Sequence, residues 1–258
     1  MDEVESVARD AAQLHGELKR YLRVYAPAQW SSMIRAGAEF TTPEAWSILS
    51  PSKMAASLVR AERERVEDTP LYALDLGASS AAIRAGAAGI VLTPDVLPAP
   101  SGSIYFQLPV AEPGPQRAGP ARLVTWGDPA PSMGLPGMWL TWYADMRDGT
   151  HPAVAAAQPD AQVILDQENF LRFLPAIQSQ LMPGEPPADE TSRILRTVIL
   201  ALFAIKQGLM ETKEVHVDDA ASNTSVQVAH VTDQDAEELP LAIAQAAGLH
   251  SQHAIQTL

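Results

Sequence analysis

The run Ser103-Ile-Tyr-Phe-Gln-Leu-Pro-Val110 is followed by Ala121-Arg-Leu-Val-Thr-Trp126 and by Gly137-Met-Trp-Leu-Thr-Trp-Tyr-Ala-Asp145. All three runs are rich in aliphatic and aromatic residues, and clusters of proline and glycine bound them, as is typical of short β-strands joined by turns. Connections this short favour antiparallel neighbours. These runs decide the fold, because they predict a mostly antiparallel sheet in the middle of the chain.

Two further runs, residues 71 to 76 and 89 to 93, extend the predicted sheet to about five strands. A short helix at residues 79 to 85 separates them. Residues 45 to 49 form another short strand candidate, and residues 225 to 231 alternate like one more strand near the end of the chain.

Helical periodicity marks the start of the chain. Apolar side chains recur there at intervals of three and four residues, which places them on one face of a helix from residue 2 to 25. They are Val4, Val7, Ala11, Leu14, Leu18, Tyr21 and Tyr25. This face suits packing on the protein's own core, and the alternative is a homo-oligomer through the same helix. Further helices are predicted at residues 27 to 36 and 52 to 66, the latter with Ser52 as its N-cap.

Helices return after the sheet, at residues 166 to 177, 192 to 211 and 236 to 247. The second is apolar on all sides, so other elements must cover it. Arg196 interrupts its most apolar stretch and Lys206 ends it, which leaves it short of the roughly 20 apolar residues of a membrane span. The sequence thus predicts an α+β fold, with the sheet flanked by the N-terminal helices and by this buried C-terminal helix.

Composition limits the classes of function. The chain has 258 residues and no cysteine, which excludes a disulfide framework, a thiol nucleophile and a cysteine-based zinc site. It opens with Met1-Asp-Glu-Val-Glu5, whereas a secretory signal needs a basic start followed by an apolar run. We therefore expect a cytoplasmic protein, in the host cytoplasm if a phage encodes it, with no membrane partner.

Charge is distributed unevenly along the chain. The net charge is −13, and residues 214 to 258 contain 7 acids and no lysine or arginine. Nucleic-acid binding draws its affinity from basic side chains that neutralise phosphates, so nucleic acid is not an expected partner. We expect a single globular domain at residues 1 to 213 and an acidic extension at residues 214 to 258.

The sequence Asp75-Leu-Gly-Ala-Ser-Ser80 is a candidate phosphate-binding turn. A strand precedes it and a helix follows it, and the backbone N–H groups at a helix start can hold an anion. The candidate ligands are Asp75, Gly77, Ser79 and Ser80. These six residues resemble the first phosphate loop of the actin-like and sugar-kinase ATPases, although no partner motif accompanies them. The alternative interpretation is an ordinary serine-rich helix cap after a strand.

A second candidate site is the loop Asp145-Met-Arg-Asp-Gly-Thr-His151, where Asp145, Asp148 and His151 could act in general acid–base chemistry. The alternative is a solvated turn, because Asp148-Gly149 is a turn signal.

Metal-binding residue types occur near the end of the chain, at His216-Val-Asp-Asp219, at His230 with Asp233 and Asp235, and at His250-Ser-Gln-His253. None of these matches a known metal motif. We expect no metal and no cofactor. The sequence also lacks a P-loop, a GxGxxG run, a nucleophile elbow and a kinase signature.

Four segments resemble an uncharacterised family of hypothetical proteins from actinobacteria and their phages or mobile elements. They are Leu97-Pro-Ala-Pro-Ser-Gly-Ser-Ile-Tyr-Phe106, Val124-Thr-Trp-Gly127, Met138-Trp-Leu-Thr-Trp-Tyr143 and Arg193-Ile-Leu-Arg-Thr-Val-Ile-Leu-Ala-Leu-Phe203. The resemblance spans residues 45 to about 215 and implies no activity. Members of the family continue with a basic C-terminal region, from which this acidic chain departs.

Two functional hypotheses follow. The first is a non-enzymatic accessory or phage host-interaction protein that binds another protein, because catalytic signatures are missing and acid-rich surfaces engage basic partners. The alternative is a nucleotide- or phosphate-binding protein or enzyme that uses the turn at residues 75 to 80.

Overall fold

The structure is a computed structural model, and it describes residues 2–24, 26–27, 31, 50–86, 97–112, 120–127, 139–144, 174–175, 190–219 and 222–246. These residues form five helices and seven strands. The helices are α1 (Glu3–Val24), α2 (Pro51–Glu67), α3 (Leu76–Gly86), α4 (Glu190–Lys206) and α5 (Asp233–Ala246). The strands are β1 (Leu71–Leu74), β2 (Gly102–Phe106), β3 (Ala121–Gly127), β4 (Trp139–Ala144), β5 (Leu174–Pro175), β6 (Glu211–Asp219) and β7 (Ser222–His230).

One mixed sheet contains all these strands, in the order β5-β4-β3-β2-β1-β7-β6. β1 pairs in parallel with β2 on one side and with β7 on the other. The remaining neighbours pair antiparallel. The α+β class and the mostly antiparallel character of the sheet are therefore confirmed.

Helices α1 and α2 cover one face of the sheet. The apolar face of α1 packs on β1, β6 and β7, and α2 packs on β2 and β3. Leu14, Leu18 and Tyr21 of α1 are buried there together with Leu71 and Val226 of the sheet. The apolar face that could have carried a homo-oligomer contact is thus buried within the chain.

Helices α3, α4 and α5 cover the other face. α3 contacts both α4 and α5, and α4 buries Ile194, Val198 and Leu202 in a core that also contains Trp126 and Trp142. The prediction that the apolar helix near residue 200 lies inside the core is confirmed. No helix among the described residues is long and apolar enough to cross a membrane.

Several predicted details change. The sheet has six strands rather than about five, besides the two-residue β5. The N-cap of α2 is Ser50, whose Oγ accepts from the N–H of Lys53 at 3.4 Å, and not Ser52. The reason is that Pro51 has no N–H and a fixed φ, which suit the first helical turn. Residues 174–175 lie in a strand and not in the predicted helix at 166–177.

Other predictions fall outside the described residues. They are the strands at 45–49 and 89–93, most of the helix at 27–36 and most of the helix at 166–177.

The expected domain boundary at residue 213 lies inside β6. Residues beyond it contribute to the sheet, since β7 pairs with β1 from Leu71↔Val226 to Leu74↔Ala229. Leu239 and Ile243 of α5 are buried in the core on the α4 face. As a domain division the boundary stays a prediction, but residues 214–219 and 222–246 are part of the same folded body.

Candidate functional site

The long strand β6 forms one edge of the sheet. It pairs with β7 over nine residues in continuous register, from Glu211↔His230 to Asp219↔Ser222. No other described strand pairs with it. In an antiparallel edge strand, about every second residue directs its N–H and C=O groups away from its neighbour. β6 therefore offers a row of backbone donors and acceptors.

The two faces of β6 differ. Val215 and Val217 are partly buried against the core beneath α1, and Lys213, on the same face, lies 3.4 Å from Asp2 of α1. Side chains alternate between the faces of a strand, so Thr212, Glu214, His216 and Asp218 lie on the opposite face, where all four are exposed. The face with Val215 and Val217 therefore packs against the protein, and the opposite face of β6 is exposed to solvent.

The sequence of β6 is acidic. Its nine residues, Glu-Thr-Lys-Glu-Val-His-Val-Asp-Asp, contain four carboxylates and one lysine, and that lysine is already paired with Asp2. The Glu214 side chain accepts from the Ser225 hydroxyl at 2.5 Å, which holds it along the strand. The result is an exposed, negatively charged sheet edge.

The predicted phosphate turn is an intact helix cap. The Asp75 carboxylate follows β1 and accepts from the N–H of Ala78 at 2.8 Å, and the Ser79 hydroxyl donates to the Leu74 carbonyl at 3.2 Å. Ser79 is fully buried, whereas Gly77 and Ser80 are partly exposed. The structure brings the four predicted residues together, but the Asp75 carboxylate occupies the helix start that an anion would need.

Burial raises the pKa of Asp75, and the N–H groups of Ala78 and Val231 and the nearby His230 oppose this shift. Asp75 lies at the carboxyl end of β1, and His230 ends β7, which runs parallel to it. In open parallel sheets, ligands bind at the carboxyl ends of the strands. The phosphate-binding hypothesis stays a prediction.

The other predicted sites are described in part or not at all. Residues 145–151, with Asp145, Asp148 and His151, lie outside the described residues. Of the metal-binding types, His216 lies 3.9 Å from Glu214 and His230 lies 3.8 Å from Glu211. Within the described part of the chain, no group of three histidine or carboxylate side chains is arranged to hold a metal ion.

A buried network around Glu62 was not predicted. Glu62 lies on α2, where it is 1% exposed, and faces β3 and β4. Its carboxylate accepts from the Tyr143 hydroxyl at 2.6 Å and from Arg65 Nη1 at 2.5 Å. Thr125 and Thr141 also donate to it. The carboxylate is thus surrounded by four donors from three elements.

This network is closed to solvent. The side chain of Arg65 is 6% exposed, and burial together with the Glu62 carboxylate holds the pKa of Tyr143 well above its usual range. A substrate could not reach these groups without opening the contact between α2 and the sheet. The arrangement therefore serves to fix α2 on β3 and β4.

A signal for Glu62 is present in the sequence. Ala55, Val59, Glu62 and Val66 follow one another at helical spacing, and all four are buried, so one carboxylate interrupts an otherwise apolar helix face. Since a buried charge needs a partner, this pattern predicts polar groups opposite it, although it does not identify them.

No family model, no curated protein and no solved structure significantly matches the chain. Nothing in these comparisons bears on an actinobacterial or phage origin, and the resemblance stays a prediction.

Proposed function

We propose that this chain is a non-enzymatic protein-interaction protein that binds an extended, lysine- or arginine-rich segment of a partner along the outer edge of β6. Addition of a strand to a sheet edge takes its affinity from backbone hydrogen bonds and its specificity from the alternating side chains. The observation that carries the proposal is a nine-residue edge strand with four carboxylates, which pairs with β7 on one side and with no described strand on the other.

Charge favours a basic partner over a second copy of the chain. Two β6 strands side by side would bring like charges together, which destabilises cross-strand pairs. A lysine- or arginine-rich strand would instead place opposite charges next to Glu214 and Asp218, both of which are exposed. The carboxylates of β6 therefore disfavour pairing with a second β6 strand and favour a basic partner.

A cytoplasmic location and an accessory role in an actinobacterium or its phage belong to this proposal. The cysteine-free composition supports a reducing compartment.

Binding of a synthetic peptide tests the proposal. A fluorescent peptide of alternating lysine and valine is titrated with the protein, and fluorescence anisotropy gives Kd at low and at high salt. We expect binding that weakens as salt rises, because screening reduces attraction between exposed charges. An alternating glutamate–valine peptide should not bind.

Matched charge variants locate the site. Glu211→Lys, Glu214→Lys and Asp218→Lys together should abolish binding of the lysine–valine peptide. Glu5→Lys, Asp10→Lys and Glu64→Lys change the net charge equally, but lie on the exposed faces of α1 and α2, so this control should retain most of the affinity. Equal losses in both variants would refute the β6 edge as the site and indicate binding to net charge alone.

The alternative, nucleotide or phosphate binding at Asp75 to Ser80, has weaker support because the Asp75 carboxylate already caps α3. Thermal denaturation with nucleotides and divalent ions tests it, since a ligand that binds only the folded state must raise Tm. Absence of any shift would remove this alternative.

A further inference from the structure

A pocket of about 250 Å³ opens between α1, the turn from α2 to β1 and the first half of β7. It lies at the amino ends of the parallel strands β1 and β7, which is the opposite end of β1 from Asp75. His15 and Lys19 of α1 line it, together with Glu67, Thr69 and Thr224. The pocket is separate from the Asp75 turn.

His15 is a buried polar residue with an unmet hydrogen bond. It lies on the face of α1 that packs on the sheet and is 2% exposed. Its Nε2 hydrogen-bonds no described residue. Burial lowers the pKa of His15 to about 3, and the charge of Lys19 adds to this effect. The ring is therefore neutral near pH 7 and can donate or accept one hydrogen bond at Nε2.

Lys19 lies one helical turn further along α1 and is half-buried. Its ammonium donates to the backbone carbonyl of Glu67 at 3.4 Å. The Glu67 carboxylate is occupied elsewhere, since Arg23 and Arg63 bind it at 3.1 and 3.4 Å. Within the described part of the chain, Lys19 makes no ion pair with a carboxylate.

The pocket lining holds one cation, Lys19, and one carboxylate, Glu67. Arg23 and Arg63, which lie outside the lining, neutralise the Glu67 carboxylate, so Lys19 supplies the local positive charge in a chain whose net charge is −13. A local positive site in an acidic protein attracts an anion. Ligand pockets for drug-sized molecules begin at roughly 300 Å³, so the occupant of this smaller pocket must itself be small.

We propose that this pocket binds a small organic anion that carries a carboxylate or phosphate group. The Lys19 ammonium pairs with the charge of the anion. Because His15 Nε2 is buried in the unliganded structure, the ring must turn towards the pocket to donate a hydrogen bond from Nε2 to one of the anion's oxygens. The Thr69 hydroxyl, which donates to the Arg65 carbonyl, can still accept a hydrogen bond from the remainder of the molecule. This pocket is separate from the β6 edge. If no anion binds in the pocket, the proposal that β6 binds a peptide is unaffected.

The test measures Tm with citrate, glycerol 3-phosphate and inorganic phosphate, against glycerol and sodium chloride of matched ionic strength. At about ten times Kd, a bound anion should raise Tm by about 3 °C. Citrate or glycerol 3-phosphate should give this shift and glycerol should not. A shift with inorganic phosphate alone, or none with any anion, would overturn the proposal.

Variants and a spectroscopic probe place the anion. The Cε1–H resonance of His15 should move on titration of the wild-type protein with the active anion. Lys19→Gln and His15→Gln should each lower the affinity by about tenfold or more, as expected for loss of a charge-assisted hydrogen bond. Lys213→Gln, which removes a lysine outside the pocket, should retain it. A static His15 resonance, or full affinity in Lys19→Gln, would contradict the assignment.

Discussion

Glu62 joins one helix to two strands through a single carboxylate. Tyr143 donates to one of its oxygens and Arg65 to the other, and the surrounding residues exclude water. A buried ion pair adds little by itself, but removal of one partner leaves the other charge uncompensated in a medium of low dielectric constant. This residue should therefore be highly sensitive to substitution.

We predict that Glu62→Gln lowers the free energy of unfolding by about 3–5 kcal/mol, because the Arg65 guanidinium stays buried without its counter-charge. Tyr143→Phe should lower the free energy of unfolding by about 1.5–3 kcal/mol, the range for a hydrogen bond to a charged group. Chemical denaturation measures both. Tyr72→Phe, on the partly exposed Tyr72 of β1, is the control and should change stability by less than about 0.5 kcal/mol. Equal effects in the two tyrosine variants would contradict this role of Glu62.

His15 should make stability depend on pH. Its pKa is lowered from 6.5 to about 3 in the folded chain, so below pH 6.5 the unfolded chain binds a proton that the folded chain does not. The contribution of the neutral His15 to the free energy of unfolding is therefore constant above about pH 6.5 and is lost as the pH falls towards 3. Between pH 7.5 and 5, the wild type should lose about 2 kcal/mol more than His15→Gln. The difference in the free energy of unfolding between the two proteins should stay constant between pH 7.5 and 8.5. If that difference also stays constant down to pH 5, the lowered pKa of His15 is refuted.

At the scale of elements, substitutions at two glycines test how tightly the helices pack. A Cβ at Gly86, the last residue of α3, would lie 2.9 Å from the backbone nitrogen of Thr197 in α4, whereas a Cβ at Gly16 of α1 would meet nothing within 4 Å. Gly86→Ala should therefore destabilise the protein by about 1–3 kcal/mol through overpacking. Gly16→Ala should stabilise it by about 0.5–1 kcal/mol, since alanine is the better helix former. Thermal or chemical unfolding of the two variants measures this contrast, and loss of stability in both would contradict the packing.

Strong periodicity allowed most elements to be predicted from the sequence. The apolar stripe of α1 and the aromatic runs of β2, β3 and β4 bury side chains at regular intervals, and such intervals define the element. β6 was missed because only Val215 and Val217 of its nine residues are apolar, and an edge strand buries too little to show a pattern. The parallel pairing of β1 with β7 was also missed, since periodicity identifies strands but not their partners.

The same limit applies to the sites. The helix cap at Asp75 was one of two interpretations of its local sequence, because a cap depends on neighbouring residues only. The Glu62 network joins residues 62 and 143, and the His15 pocket joins α1 to β7. Contacts between such distant parts of a chain depend on the tertiary fold, so local spacing could not predict them.

At the scale of the whole molecule, residues 214–219 and 222–246 supply part of the core. A chain cut after residue 213 loses β7, which lies between β1 and β6, and Leu71 and Ala73 lose neighbours such as Val226 and Val228. We predict that residues 1–213 fail to unfold cooperatively, as measured by calorimetry. Residues 1–246, which end with α5, should retain a sharp transition. A cooperative transition in residues 1–213 would show that the sheet forms without β7.

For this reason, truncation at residue 213 does not separate partner binding from folding. Point variants on the exposed face and outer edge of β6 do, because they leave its pairing with β7 intact.

Amide hydrogen exchange of the full chain, with and without the lysine–valine peptide, tests whether the peptide adds a strand to β6. If the peptide adds a strand to β6, about every second amide of Glu211–Asp219 gains protection, and N-methylation of alternate peptide residues removes both binding and protection. Unchanged exchange along β6 at saturating peptide, or protection confined to another surface, would refute strand addition at the β6 edge.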